Sequence, residues 1–318
     1  MLHLFKKSIR KDAQVAVCLD EHAISVVRVR RDKDMPPLLE CCDAQMVDNV
    51  SLQDAELARL TNVYHLDNYE CVSTLEIGNY NLLLVEAPDV QPEELRAAIR
   101  WRIKDLIDFH IDDAVVDVFE VPNQKTAGRN RMMYAVVARS NIVKQRIEQL
   151  SAVGLNLNII DIPELALRNI AALLPEDVGG VALVYIGENS GLITITRQSI
   201  LYFSRRIEIG LRELPDNLVS SDGDLIHRWL DNIIIEIQRS LDYYESHFSQ
   251  PQVSAIVISP LSKEVPGMLD YVSSQVDIPV RTLNVNELID VTEPVSTNMQ
   301  SQCILAIGAA LRQESVAL

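Results

Sequence analysis

The side chains able to do chemistry are few and dispersed. Adjacent acids stand at Glu93-Glu94 and Asp112-Asp113, the kind of pair that general acid–base catalysis uses. Each also reads as a helix start or a turn, which acids favour for structural reasons alone. No Ser/His/Asp or Cys/His set is brought together by its spacing, and the six histidines are scattered without metal-ligand spacing. The five cysteines form no CxxC, which suits a reducing compartment rather than a disulfide framework. Cys41 and Cys42 are neighbours in an expected strand, so they point to opposite faces and are poorly placed to chelate one ion. What remains is a backbone feature. Residues 181–186 are an uncharged apolar run that stops at Gly187, residues 191–196 alternate β-branched side chains, 200–204 make a third strand, and a long helix follows. The turn after the first of these strands exposes N–H groups of the kind that cradle phosphate.

The elements that hold this turn are expected twice. Residues 14–19, 23–30 and 38–44 read as three strands joined by the turn Asp20-Glu21-His22 and a break at Pro36-Pro37, with caps from Asp48 to Ser51 ahead of a helix ending near Tyr64. A repeat of about 165 residues predicts two related subdomains facing each other across a cleft. Between the copies lies a separate module. It has a strand at 81–86, a helix at 92–108 with Pro92 in its first turn, strands at 114–121 and 132–138 joined by the loop 124–131, and a helix at 141–153 stopped by Gly154. The helix at 92–108 carries Leu95, Ala98, Ile99, Ile103, Leu106 and Ile107 on one face, with Trp101 and Lys104 off it. In the second copy Ile226, Leu230, Ile233, Ile237, Leu241, Tyr244 and Phe248 mark one buried face of a helix over 224–248. Strands at 253–259 and 279–283 flank a helix near 267–274, and a helix at 301–313 returns to the first subdomain. The expected division is therefore 1–78, an insertion 79–154, a connecting helix 155–178, a second subdomain 179–300 and the terminal helix 301–318.

Composition and charge exclude several classes. At 318 residues and 48% hydrophobic, the chain buries a sizeable core, and its net charge of −16 argues against non-specific nucleic-acid binding. Up to Lys33 there are eight basic and four acidic residues, against 21 and 41 in the remainder. A basic start of this kind, with Lys6, Lys7, Arg10 and Lys11 at its head, suits either anionic lipid or simple solvation. No apolar run is long enough for a membrane span or a signal peptide, so a cytoplasmic location is expected.

Several stretches carry a family resemblance. Glu236-Ile237-Gln238-Arg239-Ser240-Leu241-Asp242-Tyr243-Tyr244, Ser204-Arg205-Arg206-Ile207-Glu208-Ile209-Gly210, and Gly154-Leu155 through Ile160-Asp161-Ile162-Pro163 resemble the PilM family of type IV pilus assembly proteins. Arg100-Trp101-Arg102-Ile103-Lys104-Asp105-Leu106-Ile107-Asp108 and Asp113-Ala114-Val115-Val116-Asp117 are most similar to its MshI-like branch, which serves mannose-sensitive haemagglutinin pili. The resemblance implies an α/β, actin-like (ribonuclease H-like, duplicated) ATPase fold with an inserted FtsA-like βαββα subdomain. It also implies a place on the cytoplasmic face of the inner membrane, where the protein binds the N-terminal tail of a bitopic, PilN-like membrane protein, with an assembly ATPase as a further partner.

The resemblance also exposes three departures. ATP-binding members carry a first loop like Asp-Ile-Gly-Ser-Ser, where this chain has Asp20-Glu21-His22-Ala23-Ile24. Their second loop resembles Asp-Ile-Gly, and here it is Tyr185-Ile186-Gly187-Glu188. Paired glycines that admit adenosine are replaced by Ser259-Pro260-Leu261-Ser262. Asp20 is then either a relict metal-side carboxylate or an exposed acid at a turn. A non-catalytic scaffold without ATP or magnesium is expected. The alternatives are an ATP-dependent switch in which Asp20, Gly187 and Glu188 serve phosphate and magnesium, or the equivalent platform of type II secretion. The partner's tail is expected in a groove beside the inserted module, with Trp101 as an anchor or else packed on its own sheet.

Overall fold

A computed structural model describes residues 9–32, 35–47, 49–121, 131–215, 218 and 223–313. Lys6, Lys7, Lys33, Asp48 and all of the 124–131 loop except Arg131 lie outside the described residues. Strands β1 (Arg10–Leu19), β2 (Ala23–Arg30) and β3 (Leu38–Met46) form an antiparallel meander. Helix α1 (Val50–Tyr64), capped by the Asn49 side chain, crosses over to β4 (Tyr69–Thr74), which lies parallel to β1. The chain then departs through β5 (Tyr80–Glu86), α2 (Leu95–Ile103), β6 (Ala114–Glu120), β7 (Met132–Arg139) and α3 (Ser140–Ala152). It rejoins the first sheet at β8 (Asn156–Asp161), parallel to β4. After α4 (Pro163–Ala171) the plan repeats as β9 (Val181–Ile186), β10 (Gly191–Arg197), β11 (Ile200–Ile207), α5 (Gly223–Phe248), β12 (Ala255–Ile258), α6 (Met268–Gln275) and β13 (Val280–Thr282).

The duplication is visible in the strand order. One sheet runs β3-β2-β1-β4-β8 and the other β11-β10-β9-β12-β13, with each corresponding pair in the same sense. After the second sheet, α7 (Val285–Leu288) leads to β14 (Asp290–Val291), which pairs with β3 at the edge of the first sheet. Helix α8 (Thr297–Ala310) then lies between the sheets with α4. The central strands are buried on both faces. Val181 and Leu183 of β9 pack into the layer made by α4 and α8, while Ala182, Val184 and Ile186 pack under α5. The approach of α8 to α4 is close enough to require glycine: a Cβ on Gly308 would stand 2.2 Å from the Ala166 carbonyl oxygen. Asn169 closes the same junction by donating from Nδ2 to the Gly308 carbonyl at 2.9 Å.

The inserted module is a three-stranded antiparallel sheet in the order β5-β7-β6. One face, including Met133, Ala135 and Val137, is covered by Ile99 and Ile103 of α2. On the other face Tyr134 leans on the second lobe with Leu82, Leu84 and Phe119, and its hydroxyl donates to the Tyr202 carbonyl at 3.0 Å.

Four expectations are corrected. The helix at 92–108 is a 3-10 turn, Pro92–Glu94, followed by α2, which stops at Ile103; Leu106 is 58% exposed rather than on a buried face. Asp105 and Asp108 would oppose the helix dipole at that end, and the chain turns there to place the Ile111 carbonyl under Arg100. The segment 155–178 is not only a connecting helix, since it supplies strand β8. Two residues of the second half, β14, belong to the first sheet. The last helix begins four residues before 301, at Thr297, because Ser296 caps it by accepting from the Met299 N–H.

Candidate functional site

The two meanders aim their first hairpin turns at each other. Between them lies a cleft of about 340 Å³, at the carboxyl ends of β1, β4 and β9, where open α/β sheets bind ligands. Asp20, Gly187 and Glu188 all line it. The structure thus brings these three residues together, and it also shows what each one does.

Asp20 closes its own turn. Its carboxylate accepts from the His22 N–H at 2.8 Å, and its N–H donates to the Ala23 carbonyl at 3.1 Å. Both the carboxylate a metal would need and an N–H a phosphate would need are engaged in a local turn. The second loop is similar, with the Gly187 N–H bonded to the Ser190 carbonyl at 2.9 Å. The Glu188 side chain accepts from the Ser262 hydroxyl at 3.0 Å, which ties this loop to the one after β12. In that third loop Pro260 and Leu261 are buried where paired glycines would leave bare backbone.

The electrostatics point the same way. Five carboxylates line the cleft (Asp20, Glu21, Glu76, Glu188, Glu208) against two guanidinium groups, and Arg206 already pairs with Glu208 at 3.0 Å. Burial, and then the charge of Asp20, holds the Glu76 carboxyl above its usual range. Burial raises the Tyr185 phenol, with Asp20, Cys18 and Glu188 adding to the effect. An excess of carboxylates over guanidinium groups along a cleft works against a polyphosphate. Among the described residues no group of three His, Cys, Asp or Glu could hold a metal ion.

One residue of the site carries no sequence signal. Arg146, on α3 of the inserted module, reaches under the cleft and donates to Ser73 Oγ at 2.9 Å, to the Thr74 carbonyl at 2.8 Å and to the Leu19 carbonyl at 3.1 Å. It bridges the ends of β1 and β4, and burial lowers its pKa. In sequence it sits among Lys144, Gln145, Glu148 and Gln149, which read together as a solvated helix face.

Trp101 lies elsewhere. It is 73% exposed on α2, with Lys104 Nζ 5.3 Å from its ring centre, so it does not pack on its own sheet. Glu93 and Glu94 form the 3-10 turn before α2, and Asp112 and Asp113 the turn before β6, all four exposed. The five cysteines are free thiols.

Two sheets that share a five-strand plan around a common helical layer, with a βαββα module inserted between β4 and β8, define an actin-like ATPase fold. Within that class, residues 83–223 match the family model described as type IV pilus assembly protein PilM, and the chain is PilM-like there. The PilM-PilN type IV pilus biogenesis complex is similar in structure, with a TM-score of 0.75 at 18% identity over 94% of this chain and 97% of that one. EutJ, an ethanolamine utilization protein from Carboxydothermus hydrogenoformans, has a TM-score of 0.49 at 11% identity over 95% and 90% of the two chains. The cytoplasmic domain of EpsL, an inner membrane component of the type II secretion system of Vibrio cholerae, has 0.47 at 14% over 93% and 94%. No curated protein matches the sequence.

Proposed function

We propose that this chain is a non-catalytic scaffold of a type IV pilus assembly complex of the mannose-sensitive haemagglutinin kind. In this reading it works at the cytoplasmic face of the inner membrane by holding the N-terminal tail of a bitopic, PilN-like protein. The observation that carries the non-catalytic part is the Asp20 carboxylate, which is spent on the His22 N–H 2.8 Å away at the head of an acidic cleft. The PilM match over residues 83–223 and the likeness to a PilM-PilN complex support the pilus assignment and the partner. No helix among the described residues is long and apolar enough to cross a membrane, and in this reading the partner holds the chain at the membrane.

Titration calorimetry with Mg-ATP tests the nucleotide part. No saturable heat is expected up to millimolar nucleotide, and binding with a micromolar dissociation constant would restore the switch reading. Cell fractionation tests the location: the chain should pellet with membranes only when the bitopic partner is present. Retention in membranes without that partner would instead assign the anchoring to direct lipid contact.

A further inference from the structure

Three sulfur side chains meet where the first half of α8 crosses β3. Cys303 is fully buried there, and its thiol lies 3.5 Å from the Asp43 carbonyl of β3 and 3.7 Å from the Met299 Sδ one helical turn back. Both are acceptors for the weak S–H donor. The third sulfur belongs to Cys42, the residue before Asp43, which packs against the same apolar layer as Cys303. Strand alternation directs Cys42 and Ala44 toward α8 and sends Cys41 to the opposite face. A hydrogen bond with Cys42, and then burial, holds the Cys303 thiol well above its ordinary range. Cys42 and Met299 are only partly buried, so the cluster is reached from the surface on their side.

Among the described residues, no other pair of cysteines is placed to join. A disulfide requires Cα atoms within roughly 7 Å. Cys18 lies on β1 and Cys42 on β3 with β2 between them, a separation of about 10 Å. Cys18 is also engaged by Thr74, whose hydroxyl donates to its Sγ at 2.9 Å. The Asp43 contact sets Cys303 over β3, two strands away from Cys18. Cys71 packs with Leu57 and Leu60 of α1, on the face of the sheet away from α8.

We infer that Cys42 and Cys303 are a thiol-oxidation site, at which hydrogen peroxide forms a reversible disulfide that clamps α8 onto β3. Cys42, nearer the surface, reacts first. Its sulfur attacks one peroxide oxygen, the O–O bond breaks, and Cys42 becomes a sulfenic acid as the peroxide is reduced to water. The Cys303 sulfur then attacks Cys42 Sγ: the S–S bond forms, the S–O bond breaks, and the hydroxyl leaves as water with the Cys303 proton. Excess small thiol reverses the bridge by exchange and is itself oxidised to a disulfide, so the bridge suits a reducing compartment as a transient state. The clamp acts on the layer between the two sheets, because α8 contacts both β3 and α4 there.

Treatment of the folded full chain with hydrogen peroxide, followed by alkylation and non-reducing peptide mass spectrometry, tests this. The expected product is one Cys42–Cys303 cross-link, with free thiols falling from five to three and both returning on addition of dithiothreitol. Because the bridge closes a loop of most of the chain, the oxidised protein should melt roughly 5 °C or more above the reduced one. Cys303→Ala removes the resolving thiol and should leave a sulfenic acid on Cys42 that dimedone traps. Cys42→Ser should give neither a cross-link nor a trapped sulfenic acid at Cys303. Any other disulfide, over-oxidation of Cys42 in the parent without a cross-link, or intact thiols beside an oxidised Met299 overturns the assignment. A Cys42–Cys303 cross-link that leaves the melting temperature unchanged overturns the clamp.

Discussion

Glu164 gives the joint between the inserted module and the first lobe a measurable pH dependence. It sits in the first turn of α4, 5% exposed, and accepts from the Tyr80 hydroxyl of β5 at 2.5 Å. Burial is the main cause that raises its carboxyl from 4.5 to about 7; the Tyr80 hydrogen bond opposes the rise and the nearby Asp161 adds to it. The folded state therefore holds this proton more tightly than the unfolded state. Below pH 4.5 both states are protonated and nothing is lost. Between 4.5 and about 7 the unfolded chain ionises first, so stability falls as pH rises, and above 7 the loss levels off. The gap between 4.5 and about 7 corresponds to roughly 3 kcal/mol. Glu164→Gln keeps an acceptor for Tyr80 and removes the titration. Urea unfolding, followed by fluorescence of the buried Trp229, compares the two chains at pH 5 and pH 8. The parent should lose roughly 2 kcal/mol more than the variant between these pH values. Parallel pH profiles, within about 0.5 kcal/mol, would show that Glu164 ionises freely in the fold and that the junction is wetter than its burial indicates.

In the proposed reading Trp101→Ala should weaken the partner's tail by roughly 2 kcal/mol or more, since large aromatics carry much of the energy at peptide interfaces. Its stability should change by no more than about 1 kcal/mol, because the exposed indole is held by a solvent-facing cation–π pair with Lys104. Unchanged affinity would remove Trp101 from the interface. Gly308→Ala should lower stability by roughly 1–3 kcal/mol, measured as the urea midpoint, because the new methyl forces α8 off α4 at the Ala166 carbonyl.

Much of this fold was legible because strong local patterns agree with tertiary burial. β9 is an uncharged run because both its faces are covered, and α5 keeps its three-and-four spacing because one face meets the second sheet. The strands that escaped notice, β4 and β8, lack such patterns. β4 ends in Ser73 and Thr74, buried yet satisfied by Arg146 and by the Cys18 sulfur respectively, so that a core strand reads as a polar stretch. β8 interleaves Asn156 and Asn158 with Leu157 and Ile159 at an edge of its sheet. β14 is two residues long and exists only through its pairing with β3. At the site, the internal repeat predicted two facing subdomains, and the family resemblance singled out Asp20, Gly187 and Glu188 in their loops. The hydrogen bonds that occupy them followed from neither, since those depend on turn geometry that residue type does not specify.

The most direct measurement of the central claim is the affinity of the membrane partner's tail peptide for this chain, taken by calorimetry with and without millimolar Mg-ATP. A scaffold whose cleft holds no nucleotide should bind the tail with the same dissociation constant in both conditions, within about twofold, because a ligand that is not bound cannot be coupled to another. A tenfold change in tail affinity on adding Mg-ATP would contradict the account, since reciprocal coupling would then require a nucleotide site.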